Sequence, residues 1–281
     1  MIAAQPARPF VKWVGGKTQL LPTILPLIQS QLKKGSRYHE PFVGGGAVFF
    51  GLRAAGFKGK VYLSDTNRNL IASYQTVADD VERLIEGLAS HEKANSELYF
   101  YEVRGMLNEK LGLTPLSRAG LFIYLNKTAF NGLHRTNKKG YFNVPWGKYK
   151  NPTICDAENL RACSLALEGA KIDSHGFQFA LEQVKRGDVV YLDPPYVPVS
   201  KTANFVSYGK AGFTGADQAA LEHVCKKLNE RGCKFVLSNS DCEETRTLYR
   251  KWNVQSVQAR RNVNSVGSKR GAVGELVVTN F

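Results

Sequence analysis

The run Val189-Val190-Tyr191-Leu192 is followed at once by Asp193-Pro194-Pro195-Tyr196, and no other stretch limits the fold as strongly. A short apolar run closed by a turn predicts a strand of an open α/β sheet. Neither proline has an N–H to donate to a ladder, so pairing must stop where the carboxylate appears. In such a sheet, ligands bind outside the carboxyl ends of the strands. An acid and an aromatic ring on a stiff turn at that edge form a candidate site. A strand-end turn whose aspartate merely caps a local loop would use the same four residues.

A second candidate lies nearer the N-terminus. Tyr38 to Phe42 leads into Val43-Gly44-Gly45-Gly46, and residues 47–55 are predicted to be helical. Strand, glycine turn and helix N-terminus make a cofactor turn, in which missing side chains let a ligand touch the backbone. A dinucleotide turn needs Gly-x-Gly-x-x-Gly, and here Phe49 takes the last glycine's place. The spacing of Phe42, Gly44 and Gly46 instead fits an S-adenosylmethionine turn. A predicted strand over 60–64 ends at Asp65, well placed to bond the ribose hydroxyls of a nucleoside. Upstream, Lys12-Trp13-Val14-Gly15-Gly16-Lys17-Thr18 contains Gly-Lys-Thr, but Val11 stands where a phosphate loop needs its first glycine. A nucleoside triphosphatase is thereby excluded.

Charge points to the partner. The chain carries 38 Lys+Arg against 24 Asp+Glu, a formal +14, and the basic residues are segregated. Six fall in residues 1–39, eight in 110–155 and seven in 245–274, and none of these stretches contains an acid. Such segregation is the footprint of a nucleic-acid-binding surface. A membrane is disfavoured, because the longest apolar run, Leu20 to Ile28, is broken by Pro22 and Pro26 and the basic stretches are not amphipathic helices. Without the apolar segment of a signal peptide, the chain is expected in the cytoplasm. Five cysteines without a Cys-x-x-Cys pair, and five scattered histidines, indicate neither a disulfide framework nor a metal site.

With 281 residues, the chain can bury one α/β core and carry one inserted module. Apolar spacing predicts helices over 77–87, 96–110 and 115–127. After them, Phe130 to Arg135 and Tyr141 to Tyr149 flank Asn137-Lys138-Lys139-Gly140, a pattern that predicts a basic β-hairpin. Tyr141, Phe142 and Trp146 could equally pack as core, and His134 reads as a solvated loop residue. Helices over 217–229 and 243–251 and strands over 234–238, 253–259 and 272–279 are expected to complete the sheet.

In order, Lys12-Trp13-x-Gly15-Gly16-Lys17, Glu40-Pro41-Phe42-x-Gly44-x-Gly46, an acid after the next strand and Asp193-Pro194-Pro195-Tyr196 resemble the DNA adenine methylase family. The likeness runs over about residues 8–280. It implies a Rossmann-like α/β methyltransferase sheet with a small, mostly helical target-recognition insert carrying a β-hairpin. The catalytic domain would be 1–66 with 158–281, and the DNA-binding insert 67–157. By this resemblance Trp13, Lys17, Asp65 and Asp193 hold S-adenosylmethionine, with Glu40, Phe42, Gly44 and Gly46 forming its turn. Asp193, Pro194, Pro195 and Tyr196 would methylate N6 of an adenine, a poor nucleophile because its lone pair is delocalised into the ring. Two acceptors, the Asp193 carboxylate and the Pro194 carbonyl, would favour the pyramidal amino group of the transition state while Tyr196 stacks on the base.

The same resemblance implies that Phe130, Asn131, Leu133, Arg135 and Pro145 read duplex DNA, with GATC as the target. Arg135 would pair bidentately with a guanine edge, Leu133 and Pro145 would touch a thymine methyl, and the ring at 130 would fill the space left by an extruded base. Phe130 stands where the family often has tyrosine, so a hydroxyl contact is lost and stacking is not. Lys12, Lys138, Lys139 and Lys148 add positive charge. Phe177 is a candidate to flank the cofactor's adenine, and Lys201 to Phe205 a segment that closes over the substrate. A monomer without metal is expected. An RNA adenine methyltransferase and a non-catalytic DNA-binding protein on a methylase scaffold are the alternatives.

Overall fold

A computed structural model describes residues 5–109, 112–197, 213–260 and 272–281. Among them are seven strands: β1 (Tyr38–Glu40), β2 (Val61–Ser64), β3 (Lys171–Asp173), β4 (Val189–Leu192), β5 (Lys234–Ser240), β6 (Asn253–Arg260) and β7 (Ala272–Thr279). The α-helices are α1 (Leu21–Gln31), α2 (Ala47–Ala54), α3 (Arg68–Asp79), α4 (Val81–Ala94), α5 (Glu97–Glu109), α6 (Pro115–Thr128), α7 (Ala157–Leu167), α8 (Ala180–Gln183), α9 (Gly215–Glu230) and α10 (Glu243–Leu248). The mixture is a Rossmann-like α/β architecture. Two compact units divide it: Met1–Gly16, Gly44–Phe57 and Asn67–Ser174 form one, and Lys17–Val43, Lys58–Thr66 and His175–Phe281 the other.

The second unit holds six strands in the order β2-β1-β4-β5-β7-β6. β2, β1, β4 and β5 run parallel, with Tyr38 opposite both Val61 and Val189, and Val189 opposite Lys234. β7 pairs antiparallel with β5 and with β6. All four residues of β4 are buried, as a central parallel strand requires. On one side Val190, Leu192, Phe235, Leu237, Leu276 and Val278 pack with Leu221, Val224, Cys225 and Leu228 of α9. Those four positions make one helical stripe, and α9 begins in a capping box between Thr214 and Asp217. α1 forms across the apolar run that the prolines interrupt. Pro22 lies in the first turn, where a missing N–H costs nothing, and Ile24 and Ile28 are fully buried to offset Pro26. Below the sheet's amino edge, Arg37 donates to both Asp188 oxygens at 2.6 to 3.1 Å, and His39 Nε2 lies 3.0 Å from Asp188 Oδ2.

The first unit is mostly helical. The helix expected over 77–87 is two helices, because the chain leaves the helical region at Asp80 (φ −147°, ψ 46°). The Asn67 side chain starts α3 by accepting the N–H groups of Asn69 and Leu70, and the Asp80 carbonyl accepts the first bond of α4 from Leu84. The expected helices over 96–110 and 115–127 correspond to α5 and α6. α7, capped by Asp156, had no counterpart in the sequence reading. α6 is tied to the N-terminal segment by Asn126, which is almost fully buried. Its Oδ1 accepts from Lys12 N and its Nδ2 donates to Lys12 O, both at 2.7 Å.

Candidate active site

In the second unit, the carboxyl ends of β1, β2 and β4 share one edge because the strands are parallel. Asp193 emerges there, with 18% of its side chain exposed, and its Oδ2 is 2.9 Å from Lys17 Nζ. Ser238 on β5 donates to Asp193 Oδ1 at 2.8 Å, and its Oγ is itself 2.9 Å from the Tyr191 hydroxyl. Burial raises the Asp193 pKa, and the Lys17 ammonium and the Ser238 hydroxyl oppose that rise. Lys17 is 5% exposed, and its Nζ lies 4.6 Å from the centre of the Tyr196 ring. Lys17, Asp193 and Tyr196 are therefore one constellation.

The turn after β4 is held from behind by polar groups that the sequence reading missed. Tyr196 donates its hydroxyl to Glu275 on β7 at 2.6 Å. Gln218 on α9 donates to the Pro195 carbonyl at 3.2 Å and accepts from Asn239 at 3.1 Å. Asn239 accepts the Val197 N–H, and Ser240 donates to the Val197 carbonyl at 2.6 Å. The signal available was Ser238-Asn239-Ser240-Asp241, a polar run at the carboxyl end of the apolar strand Phe235-Val236-Leu237. Pro194 is buried and Pro195 half-buried. Glu40 closes β1, almost fully buried, and accepts the Tyr38 hydroxyl at 2.7 Å. Phe42 is half-buried and stacks on Phe177 with centroids 5.4 Å apart. Phe177 itself belongs to the buried cluster under α9. Asp65, half-buried, follows β2. Lys201 to Phe205 lie outside the described residues.

In the first unit, the glycine turn packs against Trp13. Gly44 and Gly46 have φ of 49° and 73°, which glycine alone adopts without strain. A β-carbon on Gly44 would lie 2.7 Å from Trp13 Cδ1, and one on Gly46 would lie 2.4 Å from the Tyr74 hydroxyl. That hydroxyl donates to the Gly44 carbonyl at 3.1 Å. The turn is thus held closed by an aromatic side chain on each side.

The predicted hairpin takes the form of isolated antiparallel bridges, Ala129 with Trp146 and Thr136 with Phe142, around a turn in which Asn137 Oδ1 accepts the N–H groups of Lys139 and Tyr141. Asn131, Arg135, Lys138, Lys139, Pro145 and Lys148 are exposed, Leu133 is half-buried, and Phe130 is 50% exposed. Arg135 donates through Nε to Asn143 Oδ1 at 2.9 Å, which aligns its guanidinium along the exposed side of the turn. Tyr141 is exposed, whereas Phe142 is buried and Trp146 packs 5.3 Å from Phe100. Lys12, on the surface, donates to the Lys127 carbonyl at 3.1 Å and lies 4.1 Å over the Tyr149 ring. His134, expected to be solvated, is half-buried. It packs among Trp13, Phe122 and Phe142, and burial pushes its pKa down to about 4.

Residues 13–263 match the family model of the D12 class N6 adenine-specific DNA methyltransferases. The chain belongs to this family. Relatives of the D12-class enzyme include the Type II methyltransferase M.MjaIII of Methanocaldococcus jannaschii, 44% identical over 98% of this chain and 99% of that protein. The Type II methyltransferase M1.LlaDCHI of Lactococcus lactis subsp. cremoris is 39% identical over 98% and 95% of the two chains. The DNA adenine methylase of Escherichia coli K12 is 36% identical over 96% and 94%. The protein is accordingly an adenine-specific DNA methyltransferase, an enzyme with DNA as substrate and a methyl donor as second reactant. Among the described residues, no helix of this D12-class chain is long and apolar enough to cross a membrane, and no group of three or more His, Cys, Asp or Glu is placed to hold a metal.

Proposed function

We propose that this D12-class enzyme transfers a methyl group from S-adenosylmethionine to N6 of an adenine swung out of duplex DNA within GATC. The observation that carries the reading is Asp193, held between Lys17 and Ser238 beside the Tyr196 ring at the carboxyl end of β4. S-adenosylmethionine supplies a methyl carbon on a positively charged sulfur. The chain's residues suit such a donor. Gly44 and Gly46 have no room for side chains, Asp65 and Glu40 offer acceptors for hydroxyl groups, Trp13 and Phe42 offer aromatic faces, and Lys17 offers a cation for a carboxylate. Asp193 and the Pro194 carbonyl accept hydrogen bonds from the two N6–H groups as the nitrogen turns pyramidal, which localises its lone pair toward the methyl carbon. The carbon–sulfur bond would break as the N–C bond forms, and the methylated nitrogen would then lose one proton to solvent. Tyr196, tethered by Glu275, holds the base in line. Pro195 is fixed by Gln218, so that the acceptors do not wander.

Residues 67–157 are assigned to DNA recognition, and 1–66 with 158–281 to catalysis. Phe130, Asn131, Leu133, Arg135 and Pro145 read the site, and Lys12, Lys138, Lys139 and Lys148 meet the backbone. The exposure of Phe130, Asn131, Arg135 and Pro145 and of the four lysines supports this reading. The enzyme is taken to act as a monomer, which sedimentation tests directly. Tritium transfer from labelled S-adenosylmethionine to a GATC duplex, a duplex lacking GATC and an RNA of the same sequence tests the whole reading. Label in the GATC duplex alone is the expected result. Label in RNA, or none at all, would overturn it.

A further inference from the structure

The chemistry above gives His134 no part, yet within the first unit its ring stacks on Trp13, assigned to the donor, and its chain neighbours Leu133 and Arg135 are assigned to DNA. It stacks on Trp13 with centroids 5.8 Å apart and planes inclined by 22°. Phe122 and Phe142 hem it in at 5.6 and 5.7 Å. Asn67, whose Oδ1 caps α3, directs its Nδ2 at His134 Nδ1 across 3.4 Å. A ring nitrogen that accepts from an amide leaves the proton on Nε2, so the group is a neutral, oriented plate. Trp13 in turn lies against the glycine turn, 2.7 Å from where a Gly44 β-carbon would be. Along the chain, His134 stands between Leu133 and Arg135.

We infer that His134 is a positioning residue that links occupancy of the donor site through Trp13 to the reading of DNA by Leu133 and Arg135. The inference rests on the assignments of Trp13 to the donor and of Leu133 and Arg135 to DNA. His134 and Trp13 are each half-buried and share a stacked face, so a shift of one ring presses on the other. Ordering Trp13 then orders the backbone on both sides of His134. By linkage the reverse holds equally: the target duplex tightens the donor by the same factor.

The test uses the whole enzyme and S-adenosylhomocysteine, a donor product that cannot react. Its Kd is measured by calorimetry alone, with a saturating duplex carrying the site that the wild type methylates, and with the same duplex changed at one base pair. The wild type should bind it about fivefold more tightly, or better, with the target duplex than with the changed one. His134→Leu keeps apolar bulk and loses the flat ring. It should reduce that ratio below about twofold, with melting temperature and Kd without DNA close to wild type. His134→Phe restores a ring and should recover most of the ratio. If the leucine variant does not fold, His134→Met fills the same space against the rings and carries the same expectation. Full linkage in the leucine or methionine variant, or no rescue by phenylalanine, overturns the inference. Wild type that binds S-adenosylhomocysteine without any linkage overturns it alone, whereas wild type that binds none overturns the donor assignment as well.

Discussion

Asp193 is asked to be an anion where burial disfavours one, and Lys17 at 2.9 Å and the Ser238 hydroxyl at 2.8 Å are what oppose that cost. Asp193→Ala should lower single-turnover methyl transfer by about a hundredfold or more while DNA still binds, because it removes an acceptor that matters most in the transition state. Near wild-type single-turnover rates would show that the acid serves only the fold. Asp188 presents the opposite electrostatics. Burial alone would raise its pKa, but hydrogen bonds from the His39 and Arg37 side chains and the Lys185 N–H hold it well below the usual carboxylate range. A carboxyl depressed in the folded state stabilises above its unfolded pKa, near 3.9, and that stability is lost as pH falls through the lower folded value. Asp188→Asn should therefore cost about 3 kcal/mol at neutral pH and should flatten the acid limb of a denaturation profile below about pH 4. An unchanged acid limb in urea titrations at several pH values would count against the pairing.

Between elements, single side chains do the joining. Asn126 of α6 satisfies both backbone groups of Lys12, and a leucine there would leave a partly buried N–H and C=O without that partner. Asn126→Leu should cost about 2 to 4 kcal/mol in denaturant unfolding, and a loss under 1 kcal/mol would mean that water replaces the amide. β4, β5, β7, α2 and α6 were legible in the sequence because each is a self-contained pattern of apolar residues. The α3–α4 junction was not, since apolar spacing continues across Asp80 and only the backbone shows the break. Nor were Ser238, Gln218 and Glu275. They act on the turn after β4 through strand pairing and helix packing, which no local window records. Asp193 and Tyr196 were visible because two prolines mark the end of a strand. His134 was misread because its environment comes from Trp13, Phe122 and Phe142, which lie far apart along the chain or across a turn.

For the molecule as a whole, 21 of the 38 basic residues lie in three acid-free stretches, and Lys138 and Lys139 stand exposed on one turn. Lys138→Ala or Lys139→Ala should weaken all duplexes alike and flatten the slope of log affinity against log salt by about one unit each. Arg135→Ala should instead cost about 1–3 kcal/mol of discrimination at one base pair, measured as methylation rates on GATC and its single-base variants. A uniform loss for Arg135→Ala would make it a phosphate contact. One further consequence concerns synthesis. β7 lies between β5 and β6 although it is made after both. While the ribosome has released β6 but not β7, β5 has one open flank and β6 has no neighbour in its unit, so each nascent chain carries sticky backbone edges that another chain can zip onto. Crowded polysomes are thus where this enzyme is most exposed to mispairing, and slowing translation through residues 261–271 lengthens that exposure.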